Sequence, residues 1–224
     1  MADKDMKSLG NAELPDSADG TASGDQTTST AADPLIYPCS VAQERFWLLD
    51  RIDPGNAALN VAVRWRLKGV VEASLLERAW LNIINRHEVL RTVFREVDGK
   101  PMQEILPRSS FKLVEIDLSR LAEAERSAEG DRIGVIEARA PFDLTEGPIL
   151  RATLVRYAPD DAALLVTTHQ IVADGWSVGV MARELGLIYQ ALAAARPIPL
   201  DELPLQYADY TEWQQAFTLE RGTA

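Results

Sequence analysis

The stretch ILRATLVRYAPDDAALLVTTH, residues 149–169, limits the possible folds more than any other part of the chain. Two segments of strand-forming residues, ILRATLVRY and AALLVTT, flank the polar connection at 158–161. Short apolar runs rich in Val, Leu and Thr, separated by a Pro-Asp turn, predict a β-hairpin. The second run ends at His169, where the loop TTHQIVADGWS begins. A chain built around such a hairpin needs further strands beside it and helices over it.

The rest of the sequence supplies both. In LNVAVRWRL, residues Leu59, Val61, Val63, Trp65 and Leu67 alternate onto one face, which predicts a strand with one side buried. LRTVFREV and PMQEIL, joined by DGK, read as another hairpin, and FKLVEIDL as a further strand. Residues 72–87 place Leu75, Leu76, Ala79, Trp80, Ile83 and Ile84 at helical spacing. Ser40 followed by Gln43 gives a capping-box signal for a short helix. Residues 119–140 are charged and alanine-rich, as a solvated helix is. Residues 177–195 predict a long helix capped by Ser177, and LQYADYTEWQQAF a last short one. The expected class is α/β, with helices packed on a largely antiparallel sheet.

Residues 1–34 stand apart. They hold no aromatic residue, and seven acids face two lysines, a net of −5. Such a segment buries too little apolar surface to offset its chain entropy, so a disordered acidic tail is expected. The folded region is expected over 35–217, with 218–224 a C-terminal tail or linker. The whole chain carries a formal charge of −11, which disfavours nucleic acid as a partner. One cysteine, Cys39, excludes an internal disulfide and any multi-thiolate metal site. Cys39 reads as a small buried hydrophobe. No apolar run is long enough to span a membrane and the N-terminus lacks a signal-peptide pattern, so a cytoplasmic location is the default expectation.

The loop after the hairpin offers the chemistry. A histidine at a strand end can act as a general base, because its pKa lies near neutrality. Asp174 is close enough in sequence to orient it. No serine sits in a G-x-S-x-G elbow, and two histidines, His87 and His169, are a weak metal signal. The residues alone favour His169 as a buried histidine bonded to backbone, His87 as part of a helix end, and Gly175 as a turn glycine. The five tryptophans (47, 65, 80, 176 and 213) read as core and interface, with Trp176 packed on the following helix.

Four stretches, in order, resemble the motifs of nonribosomal peptide synthetase condensation domains: SVAQERFW at 40–47, RHEVLRTVF at 86–94, HQIVADGWS at 169–177 and YADYTEWQ at 207–214. PFDLTEGPILRA at 141–152 also looks like a recurring family segment. The resemblance covers residues 37–217. It implies one half of a fold like that of chloramphenicol acetyltransferase. In that family two related halves enclose a tunnel, and an amine on one carrier protein attacks a thioester on another. The resemblance implies no cofactor of its own, with substrates expected on the phosphopantetheine of carrier proteins. The family's third motif is HHxxxDG. The resemblance assigns the working position to its second histidine and a structural role to the first, here His169. It also pairs the aspartate, here Asp174, with an arginine of the second motif, here Arg91.

Two departures shape the functional expectation. Gln170 stands at the working position, and an amide cannot take a proton at neutral pH. The chain also stops shortly after the fourth motif, so a face built to meet the other half is expected to be apolar and exposed. These features imply a condensation-like half-domain, catalytically impaired. It would act as an interaction module for a carrier protein or adjacent synthetase domain. The alternative is an acyl or aminoacyl transferase completed by a second half-domain or a second copy. A generic small-molecule-binding α/β domain explains the composition but not the four ordered motifs.

Overall fold

The computed structural model describes residues 35–222, with side chains to 218. The expected acidic tail, 1–34, lies outside the described residues. Two sheets carry the fold. The first has the order β1 (Leu35–Pro38), β4 (Lys100–Ile105), β3 (Thr92–Val97), all antiparallel. The second has the order β2 (Asn60–Lys68), β7 (Asp161–His169), β6 (Leu150–Ala158), β5 (Val114–Asp117). The predicted hairpin therefore forms its centre, β6 against β7. The β5–β6 pair is parallel, in a sheet expected to be largely antiparallel. The cause is the crossover between them: α3 (Glu123–Arg139) carries the chain back over the sheet, as a parallel connection requires.

Both faces of the second sheet are covered, which explains why β7 is apolar along most of its length. Ala162, Leu164 and Val166 belong to the main core beneath α2 (Ala73–Arg86) and α4 (Gly175–Ala193). Ala163 and Leu165 face the smaller cluster that holds Ile133 of α3. Alternation along a strand then places Thr167 and His169 on the α3 side. Trp80 anchors the main core. It is fully buried on α2, stacked on Trp65 of β2 with ring centroids 6.4 Å apart, and it meets Phe111 at 6.1 Å.

The capping box at Ser40 and Gln43 forms as the sequence predicts and starts α1 (Val41–Ile52). α5 (Tyr207–Gly222) packs on β1 and runs past the boundary expected at 218, so residues 218–222 are helix rather than tail. The tryptophans divide. Trp47 and Trp65 pack against the core with Trp80, whereas Trp213 is exposed. Trp176, expected to pack on the following helix, is 83% exposed instead.

Candidate functional site

β7 delivers His169 and Gln170 to the end of the central hairpin, and the chain then turns twice into α4. His169 is 2% exposed. Its Nδ1 accepts a hydrogen bond from the Ile171 backbone N–H at 3.2 Å. The backbone N–H groups of Val172 and Ala173 both bond to the His169 carbonyl. One residue thus shapes the whole turn through its ring and its backbone. Because Nδ1 accepts, the neutral ring carries its proton on Nε2, which has no protein partner among the described residues. Burial pushes the imidazole pKa down to about 4. His169 is therefore uncharged at neutral pH.

That shift has a measurable consequence. Between pH 6.5 and about 4 the unfolded chain binds a proton at this position that the folded chain refuses. The stabilisation is complete above pH 6.5 and is lost as pH falls toward 4. A gap of this size is worth on the order of 3 kcal/mol. Chemical denaturation across this range is expected to show the loss in the parent. His169→Leu should flatten that part of the profile, and an unchanged slope would remove the assignment.

Gln170 is half-buried. Its backbone N–H donates to the Leu59 carbonyl at 2.9 Å, which extends the β2–β7 ladder by one bond. Its side-chain amide makes no hydrogen bond among the described residues. It is held in place by backbone while its side chain stays uncommitted.

Asp174 and Arg91 do not form the expected ion pair. The Asp174 carboxylate is the N-cap of α4: Oδ1 accepts from the Ser177 backbone N–H at 2.8 Å and from its hydroxyl at 2.7 Å. Open N–H groups and the positive end of the helix dipole draw it there. The cap is thus Asp174 and not Ser177, the residue expected from the sequence. These bonds hold the Asp174 carboxyl below the usual carboxylate range. Arg91 sits in a 3-10 turn, Glu88–Arg91, at the end of α2. Its guanidinium meets Glu88 at 3.0 Å and the Leu106 carbonyl. Gly175 is also corrected. It has no positive φ, and a Cβ there would meet nothing within 4 Å, so no special backbone turn demands glycine.

Asp174→Ala is accordingly expected to cost about 1 kcal/mol, the value of a lost cap, and not the larger cost of a stranded buried charge. The cap bonds favour the ionised carboxyl. Their contribution is present above the ordinary aspartate range and fades as pH falls through the lowered folded value. Thermal melts at neutral and strongly acidic pH test both points. A loss well above the cap range would restore an ion-pair role.

Two features were missed in the sequence. Glu184, an acid in the apolar stretch of α4, is buried at 2% exposure. Its Oε2 lies 2.7 Å from His87 Nε2 and its Oε1 3.3 Å from Arg86 Nε. His87, at the C-cap of α2, also lines a cleft of ≈ 200 Å³ with Val172, Ala173 and Trp176. The second feature is a set of buried amides. Gln43 of α1 donates from Nε2 to Gln103 Oε1 at 2.9 Å and to the Ile171 carbonyl at 3.4 Å. A lone acid in an apolar helix was a visible signal for the first. Gln43 and Gln103 lie 60 residues apart, and no local pattern connects them.

The site loop lies where the four recurring motifs meet: Gln43 reaches the Ile171 carbonyl, His87 shares the cleft with Val172 and Trp176, and the Tyr207 hydroxyl lies 2.9 Å from Ser40 Oγ. The Condensation domain family model matches residues 35–223. The chain belongs to the condensation-domain family. It is 40% identical over 201 residues to a linear gramicidin synthase of Brevibacillus parabrevis, covering 87% of this chain and 4% of that protein. It is 44% identical over 180 residues to chondramide synthase cmdD of Chondromyces crocatus, covering 80% and 5%. Phosphinothricin tripeptide synthetase PhsB of Streptomyces viridochromogenes is 39% identical over 196 residues, covering 88% and 16%. The condensation-domain chain thus spans a small part of each of these relatives. Among solved structures, the starter condensation domain of rhizomide synthetase RzmA superposes with a TM-score of 0.75 at 23% identity, over 82% of this chain and 44% of that one. The first condensation domain of the CDA synthetase gives 0.74 at 20%, over 82% and 45%. The α/β condensation fold expected from the motifs is the fold observed.

Among the described residues no helix is long and apolar enough to cross a membrane.

Proposed function

We infer that this condensation-family chain serves nonribosomal peptide assembly as a docking lobe. It binds a carrier protein or an adjacent synthetase domain and holds its tethered group without moving a proton. The observation that carries this reading is Gln170. It occupies the working position of a loop whose supports are intact, and its own side chain has no titratable group. Positioning of a tethered substrate survives such a change, while general-base help does not. Substrates on carrier phosphopantetheine supply the reactive thioester, so the lobe needs no cofactor of its own.

A second reading, an amide-forming transferase completed by another lobe, draws on a different observation. Val41, Leu48 and Ile52 of α1 and Tyr210, Trp213 and Phe217 of α5 are all exposed large apolar side chains. The Val41 backbone N–H bonds to the Gln214 side chain at 3.0 Å, which sets the start of α1 beside the middle of α5. An apolar face of this kind fits a packing partner.

Calorimetry with a carrier protein bearing an acyl-phosphopantetheine separates the readings when followed by an amide-formation assay with a second, amine-bearing carrier. Saturable binding with no product from this chain, alone or joined to a family C-terminal lobe, is the expected result. Turnover by the joined protein with Gln170 in place favours the transferase. Absence of binding defeats the docking role.

A further inference from the structure

We propose that Gln43 and Gln103 are positioning residues for the 169–175 loop, a role that rests on the loop being the working part of the lobe. Both side chains are 1% exposed, and both are fully bonded. Gln43 Oε1 accepts from the Ser40 backbone N–H at 2.9 Å, and its two amide protons go to Gln103 Oε1 and the Ile171 carbonyl. Gln103 Nε2 in turn donates to the Pro38 carbonyl at 2.8 Å and to Thr211 Oγ1 at 3.2 Å. Thr211 is itself buried and donates to the Ala208 carbonyl at 2.7 Å. Beside them, Ser40 Oγ lies 2.9 Å from the Tyr207 hydroxyl.

The capping role of Gln43 explains only its Oε1. The start of α1 needs nothing from Nε2, and that group reaches the loop. A primary amide offers one acceptor and two donors in fixed directions, so two amides in series lock the relative positions of α1, β4, α5 and the loop. Apolar side chains of the same size would fill the space without fixing that alignment. A buried polar network satisfied at every member fixes one arrangement where an apolar contact permits several. Ile171 lies two residues from His169 and one from Gln170, so the anchor acts on the backbone that aims both.

The test is amide hydrogen exchange on the double variant Gln43→Leu/Gln103→Leu, which removes both amides together. Each single variant leaves the other amide short of a partner and should be the less stable. The double variant should recover part of that loss. In it, the amides of Val172 and Ala173 are expected to exchange roughly three- to tenfold faster, the worth of about one hydrogen bond, while those of Leu164 and Val166 keep their protection. Unchanged loop exchange, or a uniform rise across β7 and the loop alike, overturns the positioning role. Neither readout uses substrate, so a failure here stays distinct from a failure of carrier binding by the parent chain.

Discussion

Gln170→His, in the chain joined to a family C-terminal lobe, is expected to bring amide formation into the detectable range, roughly 10²- to 10⁴-fold above the parent's background. The gain corresponds to about 3–5 kcal/mol of barrier. The supports of position 170 are already in place. The Gln170 backbone is fixed by the Leu59 carbonyl, and the turn after it is shaped by the buried His169 ring. The side chain at 170 is half-buried and makes no hydrogen bond among the described residues, so an imidazole there displaces no existing contact of that kind. A histidine at this exposure keeps access to solvent protons, unlike His169, whose burial holds it neutral down to about pH 4. The rate of the variant should therefore follow the ionisation of one new group and climb as pH passes through the ordinary histidine range. The parent should lack that limb. Gln170→Asn serves as the control, since it alters the contacts without adding a base. Equal rates for the histidine and asparagine variants, with carriers loaded and bound, would show that the missing proton acceptor is not what limits this lobe.

The sequence made visible what depends on short-range periodicity. Leu76, Ala79, Trp80, Ile83 and Ile84 recur at helical spacing, and all five are buried on α2. The hairpin at 150–169 was readable because two strand-length runs flank a turn of four residues. The start of α1 was readable because Ser40 and Gln43 bond reciprocally within one turn. What stayed hidden depends on choices between equivalent local signals or on distant partners. Asp174 and Ser177 are both good caps three residues apart, and only the traced backbone shows that Asp174 caps while Ser177 donates to it. Family resemblance pairs Arg91 with Asp174. Glu88, three residues away on the same turn, and the Leu106 carbonyl satisfy it instead. The parallel pairing of β5 rests on four residues, too few for a pattern to reveal direction. The same limit applies to the site. Its loop could be named from residues 169–177, but the amides behind it, Gln43 and Gln103, come from two other elements.

The second large effect concerns the joint between α2 and α4. Removing both partners of Glu184, in Arg86→Ala/His87→Ala, is expected to destabilise the fold by about 3–5 kcal/mol. In a protein of this size that lowers the melting temperature by roughly 6–20 °C. The Glu184 side chain is 3% exposed, and its two oxygens are shared between His87 Nε2 and Arg86 Nε. Without them a carboxylate is left in an apolar helix interface, too deep for water to solvate it. Arg86 also donates to the Asp201 carbonyl, and its own carbonyl accepts from Gln206 at 3.0 Å. The same cluster therefore ties the segment before α5 to α2. Adding Glu184→Leu to the double variant should recover most of the loss, because the stranded charge, and not missing attraction, is the dominant cost. If the triple variant stays as unstable as the double, the lost side-chain contact to the Asp201 carbonyl carries the energy and Glu184 is secondary. The outcome bears on the site directly. α4 begins at the loop that carries Gln170, and its register against α2 sets where that loop points.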